Sequence, residues 1–307
     1  MVKNFLFHRV SPQRDPLWDP MDVALFERCI RYLTRKHEVV RFEDIAQDPE
    51  KLHKKANYAT IMFDDGYKDN IQYALPILEK YQVKASFYVV TDCIDKNIPT
   101  WTYILDYSFR NTQATELSFP YGFLPPTLRN FSLSQPEDRL RAASKLKPFI
   151  KTLSHSDRSQ VLNTLQDNFS DIIIPPLMMN WEDLRYLKAR GHYIGSHTAT
   201  HSMLGTIDLP SEVEYELSYS AERIKLELGH FPITISYPVG SYTHMTKEQS
   251  QKAGYKIGLA VKQNVFDPQR EDLYEVSRIE LYNESWMKTR LRMSNNLEKI
   301  KRLIRYK

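Results

Sequence analysis

Short apolar, β-rich runs alternate along this chain with segments whose apolar residues recur every three or four positions. That alternation confines it to layered α/β folds and barrels. Phe5-Leu6-Phe7, Ala59-Thr60-Ile61-Met62-Phe63, Lys84 to Val90, Tyr193 to Ser196, Thr234 to Tyr237, Lys256 to Val261 and Tyr274 to Leu281 read as strands. Between the first two, Met21 to Lys36 carries Val23, Leu25, Phe26, Cys29, Ile30 and Leu33 at helical spacing behind Asp19-Pro20. A helix is expected near Asn70 to Tyr81, with Pro76 bending it or marking its early turns. Trp181 to Ala189 reads as another. Ser211 with Glu214 three residues on predicts a capping box for a helix running to about Leu228, where Gly229 stops it.

From Trp101 to Pro176 the rhythm changes. Pro120, Pro125-Pro126 and Pro136 break it up, and two polar helical patches lie near Asp138 to Leu153 and Ser156 to Asn168. We read 101–176 as an inserted helical segment on one side of a single catalytic domain spanning 1–307. No internal repeat interrupts this reading.

Charge narrows the partners. From Lys288 to Lys307 eight Lys or Arg stand against Glu298 alone, a net +7, so the +4 of the whole chain leaves about −3 on the body. A nucleic-acid partner is therefore not expected. At about 296–307, Leu297, Ile300, Leu303 and Ile304 fall on one face among basic residues, which predicts a basic terminal helix. It would pack on the barrel or lie on an anionic membrane surface. The opening Met1 to His8 is too short in apolar residues for a secretory leader. The expectation is a cytoplasmic protein, at the inner membrane surface if the tail binds lipid. Cys29 and Cys93 are too few and too isolated for a disulfide framework or a thiolate metal site.

Three segments follow directly on expected strands: Phe63-Asp64-Asp65-Gly66-Tyr67, Ser196-His197-Thr198-Ala199-Thr200-His201, and Ser236-Tyr237-Pro238-Val239-Gly240-Ser241-Tyr242. In α/β barrels the loops after the strands converge on one face, where catalytic groups collect. His197 and His201, four residues apart, can aim two imidazoles at one point, a common arrangement for divalent transition metals. Asp64 and Asp65 fit an Asp-Asp-Gly turn with Gly66 at positive φ. They also emerge from an apolar strand, where bare charge is costly and a cation would relieve their repulsion.

In order, type and spacing together, Phe-Asp-Asp-Gly, then His-Thr-x-x-x-His, then Tyr-Pro-x-Gly resembles the polysaccharide deacetylase family with the NodB homology domain. The likeness begins at Phe7-His8-Arg9-Val10-Ser11-Pro12 and runs to Ser277-Arg278-Ile279, apart from the middle insertion. The resemblance implies a distorted (β/α) barrel, usually of seven strands, and a divalent metal, commonly zinc, with cobalt, nickel and iron as alternatives. It implies Asp65, His197 and His201 as metal ligands, Asp64 as general base, and the backbone N–H of Val239 as donor to the oxyanion. The activity implied is removal of N-acetyl groups from an amino sugar or glycan, which could be lipid-linked.

Two family features are missing. An Arg shortly before the proline of the third motif is replaced by Ile235 and Ser236, with Arg278 as the candidate substitute for orienting the base. No late His is present, which leaves His244 and His8 as candidate general acids, or Asp64 returning its own proton. Tyr237, Tyr242 and Trp181 are candidate sugar-binding aromatics. Three other readings stay open on sequence: a carbohydrate-binding pseudoenzyme of the same fold, an amidohydrolase acting on a non-sugar amide, and an iron oxygenase built on two His and a carboxylate.

Overall fold

The computed structural model describes residues 1–48, 50–51 and 57–296. The basic helix expected over 296–307 falls, beyond Asn296, outside the described residues. Ten strands are present among them: β1 (Lys3–Phe7), β2 (Glu38–Val39), β3 (Tyr58–Phe63), β4 (Ser86–Val89), β5 (Glu116–Ser118), β6 (Asn130–Ser132), β7 (Tyr193–Ser196), β8 (Thr234–Ser236), β9 (Ile257–Leu259) and β10 (Ile279–Glu280). Seven of them form one parallel sheet in the order β10-β1-β3-β4-β7-β8-β9, with the short β2 paired to β3. The sheet curls far enough for a parallel bridge between Leu259 and Val276 to link its last strand to the approach to β10. This is the distorted, seven-stranded (β/α) barrel that the alternation and the family resemblance implied.

Every residue of β3 is buried, as expected for a parallel strand covered on both faces. The pleat sends Ala59, Ile61 and Phe63 outward to the helices, and Tyr58 and Met62 inward. Outside the barrel, Phe63 stacks on Phe87 at 4.9 Å and on Phe7 at 5.5 Å, and Phe26 of the helix Val23–Lys36 meets Phe7 edge-on at 5.0 Å. This aromatic layer fixes the end of β3 just where Asp64 begins.

The lumen below the site is polar, which the sequence did not signal. Glu43, on the short helix Phe42–Ala46, is buried and accepts hydrogen bonds from Ser86 (2.7 Å), Tyr88 (2.7 Å) and Thr234 (3.0 Å). Burial pushes its carboxyl pKa upward despite those three donors. Replacing Glu43 by Leu removes the acceptor of three buried hydroxyls. The expected loss is about 3 kcal/mol, read as a lower urea midpoint at unchanged slope. A midpoint equal to wild type would mean that the hydroxyls find other acceptors.

Some boundaries differ from expectation. The helix after the His motif is Pro210–Leu228, with Leu209 at its N-cap and no side-chain cap, so the Ser211/Glu214 capping box is not formed. Pro210 takes the first position instead, where a fixed φ and a missing N–H cost nothing, and Ser211 is already helical. Gly229 does end this helix, at φ 69°. The segment Tyr274 to Leu281 is mostly loop, shortened to β10. Pro76 opens the α-helix Leu75–Lys80 behind a π-helical turn at Asn70–Ala74.

Residues 101–176 hold the helices Trp101–Asn111, Pro136–Ile150 and His155–Asn168, and the antiparallel hairpin β5–β6. They surround an apolar cluster of their own that includes Phe109, Leu117, Leu133, Leu146 and Val161. This segment meets the barrel beside the His motif: the Arg158 guanidinium donates to Thr206 Oγ1 at 2.8 Å, and the Trp101 indole donates to the His201 carbonyl at 3.2 Å.

Candidate active site

The loops after β3, β7 and β8 meet at one end of the barrel and bring Asp65, His197 and His201 together. Asp65 Oδ1 lies 3.4 Å from His197 Nε2 and 3.3 Å from His201 Nε2. One ligand atom from each of the three falls within 4.8 Å of the others, and all three residues are buried. Ligand bonds of about 2.0–2.1 Å at tetrahedral angles set neighbouring donor atoms about 3.3 Å apart, so the spacing fits one shared cation. Asp65 Oδ1 has no hydrogen-bond donor of its own, although it is buried. An orphaned carboxylate oxygen facing two imidazoles is the vacancy in bonding that a cation satisfies.

The backbone is bent to achieve this. Asp65 (φ 75°), Thr198 (φ 70°), His201 (φ 65°) and Val239 (φ 58°) all adopt the left-handed region. For a β-branched residue such as Thr198 or Val239 that conformation costs on the order of 1–3 kcal/mol and must be held by its surroundings. Around Thr198 the restraints are visible. The N–H groups of Ala199 and Thr200 donate to the backbone and carboxylate of Glu216, and Thr91 and Asp92 donate to the Thr198 and Ala199 carbonyls. The His motif is thus a tied loop and not a helical turn.

His197 Nδ1 sits 2.7 Å from the Ser236 carbonyl, which fixes Nδ1 as the protonated nitrogen and leaves Nε2 free to ligate. Without a cation, burial opposes charge on His197, but Asp64 and Asp65 outweigh it and raise its pKa. Burial lowers that of His201, where the nearby Asp65 carboxylate does not fully compensate. A proton on His197 therefore competes with a metal for Nε2 more strongly than on an ordinary histidine.

Asp64 points elsewhere. Its two oxygens accept a bidentate pair from Arg278 Nη1 and Nη2, each at 2.9 Å, and Oδ2 also accepts from Ser236 Oγ at 3.0 Å. Arg278 is wholly buried and held further by Ser236 Oγ and the Ala260 carbonyl. Burial alone would raise the Asp64 pKa, yet Arg278 and then His197 outweigh it and hold the carboxyl below its usual range. Arg278, the substitute considered for the missing Arg, thus reaches the aspartate from the start of β10, across β1.

A cleft of about 160 Å³ opens over these groups. Asp64, Asp65, His197, His201 and Val239 line one side; His8 and Glu280 line another, 3.6 Å apart. A second cleft of about 190 Å³ shares His8, Trp18 and Glu280 with it.

Several expected site residues lie elsewhere. His244 is 84% exposed at the start of a surface helix, beside Glu248, and does not line the cleft. Ser236 faces Asp64, so the next residue, Tyr237, must point to the other side. Its hydroxyl donates to the Tyr274 carbonyl, and Tyr242 stacks on its ring at 5.2 Å. Trp181 donates to Asp95 at 2.7 Å beneath the Arg223 guanidinium. None of these three aromatics lines the cleft. Trp18, Lys147 and Lys151, which no sequence motif singles out, also line the cleft. Only the packing of the insertion and of the 11–20 loop brings those residues to the site.

The comparisons with known proteins follow the same lines. The family model described as polysaccharide deacetylase matches residues 51–258. A search of curated protein sequences gave no match. Among solved structures, a Streptococcus pyogenes deacetylase, PplD, in complex with acetate, superimposes with a TM-score of 0.62 at 16% identity, covering 97% of this chain and 96% of that one. A de-N-acetylase from Aggregatibacter actinomycetemcomitans (TM-score 0.57, 15% identity, 95% and 99% coverage) and IcaB from Ammonifex degensii (TM-score 0.57, 15% identity, 96% and 97% coverage) share the fold. A parallel barrel gives no support to the iron-oxygenase reading, whose sites ride on double-sheet β folds. With its seven-stranded parallel barrel and its Asp-His-His centre, this chain belongs to the polysaccharide deacetylase family.

Proposed function

We propose that this metal-dependent deacetylase hydrolyses the acetamide of an N-acetylated amino sugar or glycan, with Asp64 as the general base. The observation that carries the reading is the division of labour between two adjacent carboxylates. Asp65 presents an orphaned oxygen to two imidazoles, whereas Asp64, with Oδ2 3.9 Å from His197 Nε2, gives both its oxygens to Arg278, which keeps it ionised.

A divalent cation held by Asp65, His197 and His201, zinc being the best match to the tetrahedral spacing, would acidify a water and polarise the acetyl carbonyl. Asp64 takes the proton of the attacking water, because it is held ionised and lines the cleft beside the Asp-His-His centre. The Val239 N–H is the proposed donor to the carbonyl oxygen as charge gathers there. Its left-handed backbone at the cleft wall supports that role. His8 replaces His244 as the proposed acid that protonates the leaving nitrogen, since it lines the cleft and Glu280 lies beside its ring. The PplD structure holds acetate, the product this reaction would release.

The test is acetate release from chito-oligosaccharides and related amino sugars by the purified chain. Release that stops with chelator and returns with zinc is the expected result. A chain that binds these sugars and its metal but releases no acetate would instead be a carbohydrate-binding pseudoenzyme.

A further inference from the structure

The inserted segment supplies one wall of the cleft. Thr102 and Asp106 come from the helix Trp101–Asn111, and Lys147 and Lys151 from the end of the helix Pro136–Ile150. Lys147 and Lys151 are four residues apart, so both ammonium groups stand on the same helical face.

Every carboxylate lining the cleft faces a basic side chain. Asp64 has Arg278, and Asp65 has the two imidazoles. Asp106, 2% exposed, forms an ion pair with Lys147, and Glu280 has His8 and the Tyr282 hydroxyl. Lys151 is the exception. It is half-buried, and its ammonium has no ion-pair or hydrogen-bond partner among the described residues. Glu280, Asp106 and Asp65 act on it only from beyond ion-pair distance. Burial and the nearby Lys147 charge both disfavour its protonated form and lower its pKa, as expected of a cation lacking a counter-charge.

The Lys151 ammonium reaches the solvent of the cleft but has no counter-charge there, so an anionic group on a ligand finds a cation that it need not take from another partner. Building on the deacetylase reading, we propose that the preferred substrate is an N-acetylated amino sugar carrying an anionic substituent, phosphate or carboxylate, which pairs with Lys151. The inserted segment then acts as the part of the chain that selects substrate by charge, while the barrel supplies the hydrolytic groups. Asp106 serves to neutralise Lys147, so that the cleft offers one unmatched positive charge and not two.

The zinc-loaded full chain is assayed with a neutral chito-tetrasaccharide, with N-acetylglucosamine 1-phosphate and with a hyaluronan tetrasaccharide. Wild type is expected to show kcat/KM at least about tenfold higher for an anionic substrate than for the neutral one, roughly the worth of one charge-assisted hydrogen bond. Preference for the phosphate or for the uronate identifies which anion is meant. Lys151→Met should lower the anionic-to-neutral ratio by about tenfold, and Lys151→Arg should largely keep it. A wild-type ratio of one or below, or a ratio equal in wild type and Lys151→Met, overturns the proposal. If no substrate is turned over, the deacetylase reading fails separately. Calorimetry then decides this one: N-acetylglucosamine 1-phosphate must bind wild type more tightly than N-acetylglucosamine does, and lose that advantage in Lys151→Met.

Discussion

Asp64→Asn lowers kcat by about 10²- to 10⁴-fold, while the chain still takes up one equivalent of metal. The amide keeps the shape of the carboxylate but has no basicity, so proton removal from the attacking water loses its acceptor. Metal uptake survives because Asp65, His197 and His201 are untouched. The variant also leaves Arg278, wholly buried, without its counter-charge. Breaking such a pair costs about 3–5 kcal/mol of stability, so turnover must be measured well below the variant's own melting temperature. A kcat within about threefold of wild type, in a folded and metal-loaded variant, would remove Asp64 from the base role.

His197→Ala abolishes both metal binding and acetate release. It removes one of three ligands and also the group that satisfies the Ser236 carbonyl. The same residue gives metal affinity a pH dependence of defined sign. Asp64 and Asp65 outweigh burial and raise the His197 pKa above its ordinary value of about 6.5, so a proton competes with the metal there. Affinity should therefore climb as pH rises through and above about 6.5, by up to about tenfold per unit while His197 is protonated. Calorimetric titrations in buffers of different ionisation enthalpy would report the released proton. Affinity independent of pH, or a His197→Ala chain that still loads metal, would mean that the cation sits elsewhere.

Much of this was legible because it is local. Parallel strands buried on both faces need runs such as Ala59 to Phe63, and loops after such strands gather on one face whatever the loop sequence. Asp65, His197 and His201 could be named in advance because the motifs that carry them, each within a few residues of a strand end, resemble those of a known family. The helix ending at Gly229 was readable for the same reason: glycine adopts the left-handed cap without penalty.

What stayed hidden depends on which way a side chain faces and on what packs against it from far along the chain. Tyr237 and Tyr242 have the composition of sugar-binding aromatics, but the pleat turns Tyr237 away from Asp64 and Tyr242 follows it. His244 is near the third motif in sequence, yet the helix it begins carries it to solvent. Arg278 and Asp64, 214 positions apart, meet because the strands that carry them pair on either side of β1. His8 enters the cleft because β1 lies between those two strands.

By itself the sequence confined the chain to layered α/β folds and barrels, because periodicity is a property of short stretches, and the family its motifs resemble supplied the barrel and the Asp65, His197 and His201 set. The tertiary structure alone decided that Arg278 pairs with Asp64, that His8 and not His244 lines the cleft, and that Lys151 stands there without a counter-charge. Those outcomes depend on distances across the sheet and across the insertion, and these follow from packing, not from spacing along the chain.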